Sequence, residues 1–156
     1  MTSEEEIFGL GAIRANERDQ TASELARGLG RSVRHLGMTS LTEFSLRSGR
    51  RVDLMALDAK GHFTVIEIKS SLEDFRSDKK WQEYLDYCDA FYFAVPETFP
   101  KEIIPGDVGL MVADAYGATI LRESACYSLA AARRRALLQR FAETAAKRLH
   151  SLLDPH

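Results

Sequence analysis

The sequence predicts an α/β fold in which a mixed β-sheet is flanked by helices on both sides. Three observations support this prediction. Three short strand candidates follow one another across tight turns, a later run is continuously apolar, and apolar residues keep helical spacing before, between and after the strands. With 156 residues, of which 45% are hydrophobic, the chain suits one domain with its own core.

The N-terminal region divides into a lead-in and the start of the domain. We expect residues 1–18 to be a loosely attached lead-in, with a short helical patch at Ile7, Leu10 and Ile13. Residues 19–153 are expected to form a single domain.

One helix and three strands open this domain. Apolar residues keep helical spacing over residues 19–36, where Gly28 and Gly30 weaken the predicted helix and Gly37 can end it. The turn sequences SGR and DAKG then separate three strand candidates, which indicates a meander, at residues 39–46, 51–57 and 62–69.

Helices and strands continue in the second half. A second helix is predicted from about Ser77, with one face formed by Trp81, Tyr84, Leu85 and Cys88 and with Trp81 in the core. The apolar run FYFAV suits a strand covered on both faces. Strands are predicted at residues 91–95, 108–114 and 117–123. A long helix over residues 129–152, capped by Ser128, closes the chain.

The composition narrows the class of protein. A net charge of −2 argues against a protein that coats nucleic acid by bulk electrostatics, although it leaves room for a local cationic groove. Cys88 and Cys126 stand alone, and the His residues lack metal-binding spacing, so we expect reduced cytoplasmic thiols and no zinc site. The acidic N-terminus and the lack of a long apolar run predict a cytoplasmic protein with no membrane partner.

Charged side chains on two predicted strands are the candidate catalytic residues. In VIEIKSS, alternation places Glu67 and Lys69 on one face of a strand, and Asp53 lies on the strand before it. If these strands are antiparallel neighbours, the two carboxylates lie side by side and repel each other unless a cation separates them. Mg²⁺ is the natural occupant, and Lys69 can then hold a water or neutralise charge on a phosphate. The spacing alone is equally compatible with a Glu–Lys pair on a solvated sheet face.

The arrangement of these residues resembles the motif of the PD-(D/E)xK nuclease superfamily, with 13 residues between Asp53 and Glu67 and one between Glu67 and Lys69. Three longer stretches, GRRVDLMALD, VIEIKSSLEDFRSDKKWQEYLDYCDAFYFAVP and GLMVADAYGATILRE, resemble the MmcB family, whose members are assigned as DNA-repair endonucleases. The resemblance covers nearly the whole chain from about residue 24. Val52 stands where the superfamily pattern has a proline.

The resemblance implies a restriction-endonuclease-like fold and a Mg²⁺-dependent DNA endonuclease of bacterial DNA repair, with Mn²⁺ as a substitute. The motif roles carry over to Asp53, Glu67 and Lys69, with the Ile68 carbonyl as a further metal ligand. DNA, DNA-repair proteins and a second copy of the chain are the implied partners. The main alternative is a member of the same fold that has lost catalysis and binds DNA or a repair protein. A small-molecule phosphohydrolase is disfavoured because no phosphate-binding loop is present.

Several further residues are assigned supporting roles. Many superfamily members add an acid before the central Asp; Glu43 is our choice as a metal ligand, and Glu24 is its rival. Lys79 is a candidate catalytic residue because superfamily members often place a Lys or Gln there, facing the site. Asp74 and Asp78 are expected to cap the second helix.

Basic residues on the last helix are the candidate DNA contacts. Arg133, Arg140 and Lys147 recur every seven residues and form one stripe, while Arg134 falls among apolar residues and is expected to snorkel or to pair with a sheet carboxylate. The face expected to bury against the sheet consists of Leu138, Phe141, Ala145, Leu149 and Leu152. A solvated face with locally paired charges is the alternative for the stripe. The other DNA-binding candidates are Arg50, Arg51 and Lys80.

Overall fold

The computed structural model describes residues 21–156. The predicted lead-in and its helical patch at Ile7, Leu10 and Ile13 lie outside the described residues. Six strands form one sheet: β1 (Thr39–Ser45), β2 (Arg51–Leu57), β3 (Phe63–Ile68), β4 (Ala90–Val95), β5 (Gly109–Ala113) and β6 (Ala118–Arg122). The helices are α1 (described over residues 21–35), α2 (Leu72–Ser77) and α3 (Ala131–Leu153), with 3₁₀ segments at Trp81–Tyr87 and Lys101–Ile103.

The sheet is mixed, and its strands lie side by side in chain order. The first three strands form the predicted antiparallel meander, β3 to β5 run parallel, and β6 returns antiparallel to β5. The crossover from β3 to the parallel β4 contains α2 and the first 3₁₀ segment. The predicted fold class is therefore confirmed, and it is consistent with a restriction-endonuclease-like core.

Alternating strand residues build one hydrophobic cluster on each face of the sheet. On one face, Leu25 and Leu29 of α1 pack with Ile66 of β3. On the other face, Leu137 and Phe141 of α3 pack with Val65 and other strand residues. Helices therefore cover both faces, as predicted, and β4 is buried along nearly its whole length.

The predicted second helix is wrong in its position and type. An α-helix, α2, forms earlier, because the Ser71 Oγ accepts a hydrogen bond from Asp74 N–H at 3.2 Å and begins the helix. Asp78 is the C-cap of α2 and not part of the first turn of a following helix. Residues 81–87 form a 3₁₀ segment, and Trp81 in it is buried against Phe91, so its predicted core role is confirmed.

The start of α3 also differs from the prediction. The helix begins at Ala131 and not at residue 129, and its N-cap residue, Ala130, provides no capping side chain. Ser128, the predicted cap, has a φ of 50° and lies outside the helix in the left-handed region. Arg134, in the first turn, instead donates from Nη2 to the Leu129 carbonyl just before the helix at 3.4 Å.

Arg134 joins α3 to the sheet through Asp89. Its Nη1 and Nη2 each lie 2.7 Å from a different carboxylate oxygen of Asp89, and Nη1 also donates to the carbonyl of Gly61 at 2.7 Å. The same carboxylate accepts hydrogen bonds from the N–H groups of Phe63 and Leu129. Burial opposes the charge of Asp89, but the Arg134 contact and these N–H groups lower its pKa. The predicted pairing of Arg134 with a carboxylate is confirmed.

The buried face of α3 is offset from the predicted one. Leu137 and Phe141 are buried, and they follow Arg134 at positions three and seven residues later, on the same stripe of the helix. Because Arg134 is tied to Asp89, the helix is rotated to place this stripe against the sheet. Three predicted core residues are instead 38%, 57% and 82% exposed: Leu138, Leu149 and Leu152. Among residues 21–156, no helix has the length and apolar character needed to cross a bilayer.

Gly28 allows α1 to approach the β5–β6 turn closely, and this contact gives a test of the packing. A Cβ on Gly28 would lie 1.8 Å from the carbonyl oxygen of Asp114, whereas a Cβ on Gly30 would meet nothing within 4 Å. We expect Gly28→Ala to lower the free energy of unfolding by roughly 1–3 kcal/mol. Gly30→Ala is the matched control and should raise it by about 0.5–1 kcal/mol. Urea denaturation measures both, and equal effects would contradict the close approach.

Candidate functional site

The candidate site lies where β2 and β3 separate. Their antiparallel ladder runs from Leu57–Phe63 to Leu54–Ile66, which brings Asp53 opposite Glu67 at the next step. There the side chains replace the strand-to-strand hydrogen bonds. The N–H of Asp53 donates to Glu67 Oε1 at 3.0 Å, and the N–H of Ile68 donates to Asp53 Oδ2 at 2.8 Å. The predicted juxtaposition of the two acids is therefore present.

Burial and mutual repulsion disfavour the charges of both acids. Glu67 is 5% exposed, and its burial together with the negative charge of Asp53 raises its pKa to about 8. Burial also raises the pKa of Asp53, although the hydrogen bond from Ile68 N–H acts in the opposite direction. In the absence of a cation, the folded chain therefore favours a proton on the pair at neutral pH.

Lys69 lies beside this pair and is itself buried. Its backbone N–H donates to the carbonyl of Ala94, and its Nζ forms an ion pair with Asp78 Oδ2 at 2.8 Å. Burial alone would lower the pKa of Lys69, but the hydrogen bond to Asp78 and the nearby charges of Asp74 and Glu67 outweigh it and raise the pKa. Lys69 is therefore held as an ammonium ion, which suits it to stabilise negative charge and not to act as a base.

These residues open into a cleft of about 1070 Å³ between α1, β1 and α2. Asp53, Glu67 and Lys69 line it together, and the residues that complete the wall include Arg27, Thr42, Glu43, Ile68, Ser70, Glu73 and Asp74. Glu43, the preferred additional acid, lies in the cleft wall, whereas its rival Glu24 does not. Lys79 is exposed and also lies outside the wall. A catalytic role for Lys79 stays a prediction.

Glu43 has an unusual backbone conformation next to the acids. Its φ of 48° lies in the left-handed region, which non-glycine residues adopt rarely, and the β1–β2 pairing skips it between Thr42 and Phe44. Arg148 of α3 donates to the Glu43 carbonyl oxygen at 3.0 Å. The charge of Glu43 contributes to the raised pKa of Asp53. The side chain is thus close enough for its charge to influence the pair.

The donor set fits a hard divalent cation. Asp53 and Glu67 each use one carboxylate oxygen to accept a backbone N–H, which leaves Asp53 Oδ1 and Glu67 Oε2 for a metal, and Ile68 lines the same cleft. A cation between the two acids would offset both the burial and the repulsion from Asp53 that raise the pKa of Glu67. Within residues 21–156, no group of three or more His, Cys, Asp or Glu side chains could hold a metal ion. Two carboxylates are nevertheless compatible with Mg²⁺, which is usually bound through one or two carboxylates with water and substrate completing its shell.

Sequence reasoning missed the partner of Lys69. Asp78 was assigned to a helix start, yet it ends α2 and forms the ion pair. Asp74 does cap a helix, as predicted, but the helix is α2. There its carboxylate accepts a hydrogen bond from the Ser70 N–H at 3.2 Å. The pattern Ser71-x-x-Asp74 is a helix-start signature, and it could have placed α2 and hence Asp78 correctly.

The predicted DNA-binding residues fall into different environments. Arg133 and Arg140 line a second cleft, of about 860 Å³, together with Arg47. Lys147 is exposed and does not line this cleft. Arg50 is paired with Glu83. The remaining two candidates, Arg51 and Lys80, have exposed side chains. A DNA-binding role for each of these residues stays a prediction.

Comparisons with known proteins place the chain in a family. A solved structure of a protein of unknown function from Silicibacter pomeroyi is 48% identical, with a TM-score of 0.84 over 86% of this chain and 92% of that one. No protein with curated annotation matches the chain. The model of the family described as DNA repair protein MmcB-like matches residues 12–156, nearly the whole chain. The family description points to a role in DNA repair, and the chain belongs to this MmcB-like DNA repair protein family.

Proposed function

We propose that the chain is a Mg²⁺-dependent endonuclease that hydrolyses phosphodiester bonds of DNA during repair. The observation that carries this proposal is that Asp53 and Glu67 lie opposite each other where β2 and β3 separate. The buried ammonium of Lys69 lies beside them in an open cleft. Two carboxylates can hold a divalent cation for metal-assisted hydrolysis, and a neighbouring lysine can stabilise the charge that develops on a phosphate. Membership of a DNA repair family makes DNA the substrate that best fits.

The acids and the lysine of the site have different proposed roles, which are metal binding and charge stabilisation. Asp53 and Glu67, with the Ile68 carbonyl, would hold the cation. When bound, Mg²⁺ supplies Lewis-acid polarisation of a phosphate and a more acidic water. Lys69 stays protonated, so its ammonium can orient a water or neutralise the charge that develops on the phosphate oxygens. Its ion pair with Asp78 fixes the position of Nζ before substrate binds.

Metal binding is the first test of this proposal. Isothermal titration of Mn²⁺ into the full chain should give a dissociation constant between micromolar and millimolar. Asp53→Asn should weaken it at least tenfold, because it removes a charged ligand but keeps an acceptor for the Ile68 N–H. The matched control is Asp107→Asn, an exposed acid outside both clefts. Unchanged binding by Asp53→Asn would contradict a shared metal site.

Cleavage assays distinguish the proposed endonuclease from the alternative, a scaffold protein that has lost catalysis. Labelled single-stranded, duplex, flap and junction DNA are incubated with Mg²⁺ or Mn²⁺. The proposal expects a product from at least one substrate that disappears with Asp53→Asn. If no substrate is cut while metal or DNA is bound, the chain acts as a DNA- or partner-binding member of the fold. Repair in cells that persists with Lys69→Ala would support the same conclusion.

A further inference from the structure

A second cleft lies on the α3 side of the β1–β2 turn, and its charge is opposite to that of the first. Its wall combines the turn residues Arg47 and Ser48 with Tyr87 and with Arg133 and Arg140 of α3. We call it the arginine cleft. Its volume of about 860 Å³ and its open shape suit an extended ligand on the surface.

The arginines of this cleft differ from their neighbours in having no acidic partner. Arg50 is paired with Glu83, and Arg134 is paired with Asp89. Within residues 21–156, no ion pair is formed by the three arginines that line the cleft, Arg47, Arg133 and Arg140. Glu143, the acid in the wall, instead accepts a hydrogen bond from Gln139 at 3.2 Å. The cleft wall therefore carries three arginines against one acid, an excess of positive charge in a chain whose net charge is −2.

One of these arginines is held in place before any ligand binds. The Arg133 guanidinium lies 4.7 Å from the centroid of the Tyr87 ring, and its Nη1 donates to the carbonyl oxygen of Asp86 at 2.9 Å. A guanidinium fixed on an aromatic ring loses less conformational entropy when it contacts a phosphate. The cleft therefore has a partly ordered anion-binding wall.

The two clefts are close along the chain. Glu43 at the end of β1 lines the acidic cleft, Arg47 in the next turn lines the arginine cleft, and Asp53 follows six residues later in β2. Six residues span at most roughly 20 Å even when fully extended. At about 3.4 Å of helix axis per nucleotide of one strand, that distance corresponds to about six nucleotides of stacked DNA. One short DNA strand can therefore reach from the arginine cleft to the acids.

The acidic cleft needs such an anchor. Its wall carries Glu43, Asp53, Glu67 and other carboxylates, so a metal held there neutralises acids and leaves little positive charge to attract DNA. We propose that the arginine cleft binds the phosphodiester backbone of the DNA substrate and holds the strand across the β1–β2 turn, a few nucleotides from the acids. This inference rests on the proposed function for the identity of its ligand as DNA.

The test measures DNA binding without cleavage. Fluorescence anisotropy in EDTA uses labelled single-stranded and duplex oligonucleotides over a range of salt concentrations. Arg47→Gln combined with Arg140→Gln should weaken binding about tenfold or more and reduce the salt slope by roughly 1.4 for single strands or 1.8 for duplex. The control combines Arg31→Gln and Arg135→Gln, exposed arginines outside both clefts. Thermal denaturation checks that both double variants fold.

Strand length and the comparison of outcomes sharpen the test. The loss should be seen for short as well as long strands, because without metal the carboxylates of the acidic cleft provide no attraction for DNA that could replace the arginines. An unchanged slope, or equal losses in the two double variants, would overturn the inference. If the cleft variant loses binding while the wild-type chain cuts nothing, the inference holds and the endonuclease proposal fails. If the wild-type chain cuts DNA and the cleft variant binds normally, only the inference fails.

Discussion

Replacing Lys69 with methionine is expected to lower the rate of DNA cleavage by roughly a hundredfold or more, with little change in DNA affinity. The ammonium lies 2.8 Å from one carboxylate, that of Asp78, so two of its three N–H groups remain for a water or a phosphate oxygen. Methionine keeps the length of the aliphatic stem at a position that is 6% exposed, and it removes the ammonium with its charge and its N–H donors. Single-turnover cleavage at saturating enzyme separates the chemical step from binding.

The matched control for this prediction is Lys60→Met. Lys60 is an exposed lysine in the β2–β3 turn, outside both clefts, and its replacement should leave the rate unchanged. Because Lys69→Met leaves Asp78 without its ammonium partner, thermal denaturation must show that the variant still folds. Equal cleavage rates for a folded Lys69→Met protein and the Lys60→Met protein would remove Lys69 from the chemistry.

The second large effect concerns the stability of the metal-free protein and its dependence on pH. The pKa of Glu67 is raised to about 8 from its ordinary value of 4.5, chiefly by burial and then by the charge of Asp53. Between these two pH values the folded chain binds more protons at Glu67 than the unfolded chain does. The contribution of Glu67 to the free energy of unfolding must therefore fall as the pH rises from about 4.5 to about 8. Glu67→Gln removes this ionisation but keeps an oxygen that can accept the Asp53 N–H.

Urea denaturation in EDTA at a series of pH values measures this effect. Near pH 8, Glu67→Gln should be more stable than the wild-type chain by roughly 2–5 kcal/mol, and the gain should vanish toward pH 4.5. Glu102→Gln, the substitution of an exposed acid away from both clefts, should show no such trend. A wild-type chain whose stability matches that of Glu67→Gln at every pH would show that the acid is not forced to remain protonated.

The sequence was sufficient to predict the sheet and the central pair of acids. Period-two alternation placed the charged residues of β3 on one face, a continuous apolar run identified β4, and the short DAKG turn predicted that β2 and β3 are antiparallel neighbours. Those two facts leave only a small set of registers, and the observed one places Asp53 opposite Glu67. Local features of the sequence were therefore enough to predict the part of the site that lies on adjacent strands.

The errors lie where distant contacts override the local pattern. Two neighbouring apolar stripes run along α3, one through Leu137 and the other through Leu138, and periodicity alone favours the second. The bond between Arg134 and Asp89, which are 45 residues apart, selects the first. The ion pair between Lys69 and Asp78 was missed for a related reason, because it depends on a six-residue helix that carries too few apolar residues for a periodic signal.

The hydrogen bonds that Asp53 and Glu67 accept from the backbone affect how inactive alleles should be chosen in genetic work. Replacing Asp53 with alanine would leave the Ile68 N–H without its acceptor, at a cost of roughly 1–3 kcal/mol. Such an allele would lower the amount of folded protein in the cell as well as its catalytic activity. Sensitivity to DNA damage in that strain would then reflect protein abundance and not the loss of catalysis alone. Asn at position 53 and Gln at position 67 keep an acceptor oxygen at each backbone contact. Those two replacements should therefore give alleles in which metal binding is weakened while the backbone contacts between β2 and β3 are kept.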